Sequence, residues 1–202
     1  MRLGRAILTW TALAAALAVP IAFAAASPLL EWRPPVYTVA GFAGVAGLGI
    51  LLVQPLLIGG YLPGPSASRA RRLHRWIGGL LVAAVVIHIG GLSITNPQDV
   101  MDVFLFRSPT PFSIWGVIAL GAVIVAALLA VLRRRLRLRP RTWRISHGFL
   151  AMVIVGGTVV HALLIDGAME TISKAALCGL VVAATAKVIA DLAPWPRRSA
   201  SR

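Results

Sequence analysis

Charged residues are scarce in this sequence, and acidic residues are the scarcest of them. Only 13% of the 202 residues are charged, whereas 58% are apolar and the mean hydropathy is +0.86. This balance excludes an ordinary soluble globular domain. The single cysteine, Cys178, excludes an intrachain disulfide. Neither a GxGxxG motif after a strand nor a GxxxxGK[ST] loop is present, so we expect no flavin or NAD(P) to be bound by this chain.

Long apolar runs make up most of the chain. Each holds about 20 residues with few or no charges, which is enough for a helix to cross the roughly 30 Å hydrocarbon core of a membrane. A β-barrel would need alternating polar and apolar residues, but residues 114–132 are apolar on every face. The sequence therefore predicts an all-α polytopic transmembrane bundle, as one domain over residues 1–202. Its six helices are predicted at approximately residues 6–26, 36–58, 73–95, 112–132, 143–165 and 171–193.

The positive charges lie in a few short segments between the apolar runs. The chain has 20 Lys and Arg against 6 Asp and Glu, and its basic clusters fall at residues 2–5, 69–75, 133–144 and 197–202. Basic loops stay on the cytoplasmic side of a membrane, so both termini are predicted to be cytoplasmic. This distribution argues against nucleic acid as the partner. The same clusters admit two other functions, contact with anionic lipid or docking of an acidic electron donor.

Two segments have competing interpretations. The first apolar run ends in Ala22-Phe23-Ala24, which resembles a signal-peptide cleavage site, but a span of this length favours a retained helix. The connection at residues 96–111 is either a loop that caps the outer end of the bundle, which we favour, or an amphipathic segment on the membrane surface. The repeated small residues Gly41, Gly44 and Gly47 predict close contact between helices.

The histidines form two matched pairs. His74 and His88 lie in the third predicted helix, His147 and His161 lie in the fifth, and the chain has no other histidine. A separation of fourteen residues is about 40° short of four turns and about 21 Å long, so the two histidines of one helix share a face. The third and fifth helices run in the same direction. We therefore expect an inner pair, His74 with His147, near the cytoplasm, and an outer pair, His88 with His161.

Two imidazoles on facing helices can supply both axial ligands of a haem iron. Small residues one turn away leave room for a porphyrin at each position: Gly78, Ala84, Ala151 and Gly157. Hydrogen-bonded core histidines and a proton relay are alternatives, but neither explains the duplicated spacing. Zinc is disfavoured because the two pairs are too far apart to share an ion.

The segments RLHRWIG (residues 72–78) leading to His88 and WRISHG (residues 143–148) leading to His161 resemble the transmembrane domain of the ferric reductase and NADPH oxidase superfamily. The resemblance covers essentially the whole chain. It implies two b-type haems stacked across the membrane, ligated by the inner and the outer pair. The superfamily also includes the haem subunit of the periplasmic methionine sulfoxide reductase system, which typically lacks the histidine that matches His74.

The resemblance implies an oxidoreductase in the cytoplasmic (inner) membrane of a bacterium, which moves electrons outward. A separate flavoprotein reductase or a quinol would be the donor, and a ferric chelate or a periplasmic redox protein would be the acceptor. Without such a donor the chain would be incomplete as an enzyme, and no residue of its own is assigned as catalytic. The alternatives are a haem subunit that feeds a periplasmic reductase and, in another class, a haem-free membrane scaffold or transporter.

Residues beside the inner pair have further candidate roles. Arg72, Arg75 and Arg144 either pair with haem propionates or serve only the positive-inside rule. Trp76 and Trp143 are predicted to anchor the helices at the membrane interface. In the last predicted helix, Lys187 and Asp191 are expected to form a local ion pair.

Overall fold

The computed structural model describes residues 2–192, and these residues form helices and their connections without a strand. Seven α-helices follow one another, and a short 3₁₀ turn at Pro28–Leu30 lies between the first two. Their bounds are α1 Arg2–Ala25, α2 Pro35–Ile58, α3 Ala67–Thr95, α4 Pro97–Phe104, α5 Ser113–Leu132, α6 Pro140–Leu164 and α7 Thr171–Leu192.

Six of these helices, all except α4, are long and apolar enough to cross a membrane. The predicted all-α bundle with six spans is therefore confirmed for the described residues. A helix suits this setting because it satisfies its backbone hydrogen bonds internally, where lipid offers no partner.

Helix α3 begins earlier than the apolar run that predicted it. The Ser66 hydroxyl caps its first turn by accepting a hydrogen bond from the backbone N–H of Arg69, 3.4 Å away. The helix then continues through the arginines of residues 69–75 before it reaches His74. This basic cluster is consequently helical, whereas hydropathy alone assigned most of it to a connection.

The connection between α3 and α5 contains the helix α4, so the favoured prediction of a plain capping loop is wrong for the backbone of this segment. Pro97 occupies the first turn, where its missing N–H costs nothing. Met101 and Phe104 of α4 and the following Phe106 are exposed. An exposed apolar face on a short helix is what a segment at the membrane surface would present.

The helices pack in two close pairs that a further helix joins. Helix α2 packs most extensively on α3 and α5 packs on α6, while α7 contacts both α2 and α6, and α1 contacts α2 and α7. The core includes Leu48 and Leu52 of α2 and Val181 of α7. Within the described residues, α3 and α6 have little direct backbone contact with each other. The backbones of the two histidine-bearing helices are therefore separated.

The predicted ion pair in α7 is confirmed, because Lys187 Nζ lies 2.9 Å from Asp191 Oδ2. Asp191 also accepts a hydrogen bond from the hydroxyl of Tyr61, in the connection between α2 and α3. This bond, with the negative charge of Asp191, raises the pKa of the Tyr61 phenol above its ordinary value. The contact ties the exit of α2 to the end of α7.

Candidate functional site

The four histidines lie on α3 and α6 and are all half-buried. In the inner pair, the ring centres of His74 and His147 are 6.1 Å apart and the ring planes are inclined by 84°. An iron between two imidazoles would hold their centres about 6 Å apart, because each metal–imidazole bond is about 2 Å long and each ring adds its radius. The distance between the ring centres of the inner pair thus matches that of two imidazoles on one iron.

His147 is covered on one face by an aromatic ring. The Trp143 indole is stacked on it, with ring centres 4.9 Å apart and an interplanar angle of 13°. The Arg133 guanidinium in turn lies 5.1 Å from the centre of the Trp143 ring. Trp143 is therefore more than the interfacial anchor that the sequence predicted, since it holds a candidate ligand. Trp76, in contrast, is 73% exposed, as an anchor would be.

The Nδ1 atoms of the inner pair have dissimilar surroundings. The amide of Gln54, in α2, lies against His74: its nitrogen contacts His74 Nδ1 and donates to the His74 carbonyl oxygen at 3.2 Å, while its oxygen accepts from the N–H of Gly78 at 2.8 Å. His147 Nδ1 is buried and has no hydrogen-bond partner among the described residues. These contacts place the amide nitrogen at Nδ1, so His74 Nδ1 accepts a hydrogen bond here. Binding of a metal at Nε2 would require the Gln54 amide to turn and accept from Nδ1.

The outer pair is held in a different way. His88 Nδ1 lies 2.8 Å from the carbonyl oxygen of Ala40, and His161 Nδ1 lies 2.9 Å from the carbonyl oxygen of Phe112. A carbonyl only accepts, so each Nδ1 carries the proton and donates it. Each Nε2 is then left with a free lone pair, which is the form of imidazole that binds a metal.

Sequence reasoning missed the residues beneath the imidazoles. A methyl group on Gly44, in α2, would lie 3.0 Å from His88 Nδ1, and one on Gly116, in α5, would lie 2.8 Å from His161 Nδ1. Gly44 was assigned to helix contact alone. Gln54 could have been found from the sequence, because it is a lone amide side chain within an apolar run and polar residues in membrane spans are often functional.

One of the small residues expected to make room for a porphyrin has another role. A methyl group on Gly157 would lie 3.0 Å from the Trp115 carbonyl oxygen and 3.1 Å from Ala119 Cβ. The assignment of Gly157 to cofactor space is therefore corrected, since its missing side chain lets α6 approach α5.

The three candidate propionate partners, Arg72, Arg75 and Arg144, are exposed. None of them forms an ion pair with a described acidic residue. Arg75 directly follows His74 in the chain. The three guanidinium groups are thus available to an anion at this end of the bundle.

Within residues 2–192, no three His, Cys, Asp or Glu side chains come close enough to hold a metal ion by themselves. A metal held by one of the histidine pairs would take its other ligands from a cofactor. A porphyrin supplies such ligands, and the donor set of two imidazoles for each metal fits haem better than a bare ion.

A family profile described as the ferric reductase like transmembrane component matches residues 40–158. The chain belongs to this family. No curated protein and no solved structure shows significant similarity to this chain.

Membership of the ferric reductase like family makes the chain a membrane oxidoreductase component. The matched segment contains His74, His88 and His147 and both glycines beneath the outer pair. It ends at residue 158, before His161. The assignment of His161 therefore depends on its spacing from His147 and on its contact with Phe112.

Proposed function

We propose that this ferric reductase like chain is a di-haem b-type cytochrome that moves electrons across the cytoplasmic membrane. The observation that carries the proposal is the approach of His74, on α3, to His147, on α6. The centres of the two rings lie 6.1 Å apart, although the helices themselves have little direct contact. The second pair lies fourteen residues along each helix, about 21 Å further across the membrane.

The residues of the chain have distinct parts in this function. His74 and His147 would hold the inner haem, and His88 and His161 would hold the outer one. When bound, each haem supplies the one-electron chemistry. Two imidazoles would hold each haem iron and leave it no open position for a substrate, so we expect outer-sphere transfer. The carbonyls of Ala40 and Phe112 orient the outer rings.

The donor in this proposal is a separate flavoprotein reductase or a quinol on the cytoplasmic side. The exposed arginines of residues 133–144 form a basic surface that suits an acidic flavoprotein. The acceptor is an external ferric chelate or a periplasmic redox protein. Membrane lipid surrounds the apolar exterior of the six spans.

A second candidate is a haem subunit that passes electrons to a periplasmic reductase of the methionine sulfoxide reductase type. The difference between the pairs favours it. Among the described residues His147 Nδ1 has no partner and His74 Nδ1 faces an amide, whereas both outer Nδ1 atoms bind carbonyls. A chain with one functional site would keep only the outer haem.

The test is the haem content of the purified protein, measured by pyridine haemochrome assay and visible spectrum. We expect close to two haems b per chain, both low-spin and both reduced by dithionite. His88→Ala and His161→Ala should each remove the outer haem, and His74→Ala and His147→Ala the inner one.

The possible stoichiometries separate the candidates. One haem per chain, unaffected by His74→Ala, would contradict the di-haem proposal and support the single-haem subunit. Protein that is folded but colourless after expression with excess haem would contradict both and support the haem-free scaffold or transporter.

A further inference from the structure

The two outer histidines are seated alike on two different helices. His88 reaches from α3 to the Ala40 carbonyl of α2, and His161 reaches from α6 to the Phe112 carbonyl at the start of α5. In each case the residue four positions after that carbonyl is a glycine, Gly44 or Gly116. We call each pair of carbonyl and glycine a histidine seat.

The four-residue offset has a physical reason. A helical carbonyl points toward the backbone N–H four residues later, so the side chain at that later position stands beside the oxygen. The N–H of Gly116 indeed bonds the Phe112 carbonyl at 3.2 Å, and the same oxygen also receives His161. A second donor can reach such an oxygen only if the later residue leaves space for it.

The space beside both carbonyls does not admit a side chain while the imidazole keeps its position. A methyl group on Gly44 would lie 3.0 Å from Nδ1 and 3.1 Å from Cε1 of His88. One on Gly116 would lie 2.8 Å and 2.9 Å from the same atoms of His161. Contacts of this length are shorter than carbon–carbon and carbon–nitrogen van der Waals distances. The His161 ring would have to shift, and the His88 ring would have to move by a few tenths of an ångström, so each hydrogen bond to a carbonyl would be disturbed.

We propose that Gly44 and Gly116 are positioning residues for the outer haem. By lacking a side chain, each admits one imidazole to a helix carbonyl, which fixes the ring proton on Nδ1 and directs the Nε2 lone pair to the iron. The proposal rests on the proposed function. It adds that the outer site is prepared for ligation by the protein fold alone, whereas residues 2–192 provide no such seat for the inner pair.

The test uses Gly44→Ala and Gly116→Ala in the full chain. Both helices offer a matched control: Gly41 in α2 and Gly121 in α5 have open space where a side chain would begin. Haem affinity is measured by titration of the detergent-solubilised protein. The ligand field of each low-spin haem is measured by electron paramagnetic resonance, and its midpoint potential by redox titration.

We expect each seat variant to lose about tenfold or more in affinity for one haem, since partners of metal-bound histidines carry effects of this size. The spectrum and potential of that haem should change, and the same haem should be the one that His88→Ala removes. The inner haem should remain, which shows that the variant is folded. Gly41→Ala and Gly121→Ala should retain both haems unchanged.

Two outcomes would contradict the positioning role of Gly44 and Gly116 without contradicting the proposed function. One is a wild-type protein with two haems whose seat variants keep the wild-type affinity, spectrum and potential. The other is equal loss of both haems in the seat variants, since this would indicate a general packing defect. A wild-type protein that binds no haem would contradict the proposed function and therefore also the positioning role of the two glycines.

Discussion

The four candidate ligands differ in what their Nδ1 atoms contact. Those of His88 and His161 bind helix carbonyls, that of His74 faces the Gln54 amide, and that of His147 has no partner within the described part of the chain. The partner of Nδ1 sets the tautomer, the orientation and the basicity of a metal-bound imidazole. If the proposed function holds, the haems bound by the inner and the outer pair should therefore differ in affinity and potential, although both pairs consist of histidines.

Gln54 provides a test of this difference at the level of one residue. Replacing it by leucine should remove the side-chain partner that the described residues give His74 Nδ1 and weaken inner haem binding about tenfold or more, without changing the outer haem. Gln54→Glu replaces the amide nitrogen by an acceptor for a proton on Nδ1 and should retain the haem at a lower midpoint potential. Haem titration and redox titration measure both effects, and a leucine variant with two unaltered haems would contradict the role of Gln54.

At the scale of the element, the start of α7 secures the end of α6. The Glu170 carboxylate accepts hydrogen bonds from the backbone N–H groups of Ile172 at 2.7 Å and Ser173 at 2.6 Å. These bonds hold the pKa of Glu170 below its ordinary value. One turn further, the buried Lys174 donates to the Ile165 carbonyl at 2.7 Å, beside the final turn of α6 that carries His161. Capping of α7 thus supports a candidate ligand.

Removal of this cap should lower stability in a pH-dependent way. Glu170→Ala should lower the thermal midpoint of the detergent-solubilised protein at neutral pH. Because folding lowers the pKa of Glu170, its contribution is present above the unfolded pKa and disappears as the pH falls through the folded value. The midpoints of the wild type and the variant should therefore converge in acid.

Asp166 is the control for this prediction. It lies in the same connection and is exposed, and its side chain forms no hydrogen bond with another described residue. Asp166→Ala should leave the thermal midpoint unchanged at either pH. A constant gap between wild type and Glu170→Ala across the pH range would mean that the carboxylate does not act as a cap.

At the scale of the whole molecule, charge divides the two ends of the bundle. The arginine-rich segments at residues 69–75 and 133–144 precede α3 and α6 or begin them, so both histidine-bearing helices start at one end. The connections at the other end hold Asp99, Asp102, Asp166 and Glu170. This asymmetry predicts which histidine pair is the inner one.

Reporter fusions test this orientation. A reporter placed after Arg139 should be active only as a cytoplasmic reporter such as β-galactosidase. One inserted near Asp99 should be active only as a periplasmic reporter such as alkaline phosphatase. The opposite pattern would reverse the proposed direction of electron flow, although the histidine pairs would be the same.

The basic surface should also control the reaction with the donor. Arg134, Arg135 and Arg137 are exposed between α5 and α6, where opposite charge would accelerate docking of an acidic flavoprotein. Neutralising all three should slow haem reduction in inverted vesicles supplied with NADH and cytosolic extract. The effect should be largest at low salt, because salt screens the interaction. Haem content should be unchanged.

The N-terminal arginines, Arg2 and Arg5, offer the matched control for the triple variant, since they lie in α1 on the same predicted side. Neutralising them should leave the rate unaltered. An unchanged rate and salt dependence in the triple variant would assign residues 134–137 to topology alone. A rate supported by quinol without extract would favour quinol as the donor.

The sequence by itself determined the six spans and the histidine spacing, because span length and helical periodicity are local properties. It also indicated the family through the segments around His74 and His147. The exact first residues of the helices could not be predicted from hydropathy, because a helix such as α3 begins at a polar N-cap, Ser66, that lies before the apolar run.

Only the tertiary structure decided what surrounds each imidazole. His88 and His161 bind carbonyls that lie 48 and 49 residues away in the chain. Every residue has a backbone carbonyl, so the sequence cannot show which carbonyl accepts a hydrogen bond from a histidine. In the sequence, Gly44 cannot be distinguished from any other small residue at a helix contact. The packing of α2 on α3 and of α5 on α6 brings these carbonyls, glycines and imidazoles together, and therefore distinguishes the outer pair from the inner one.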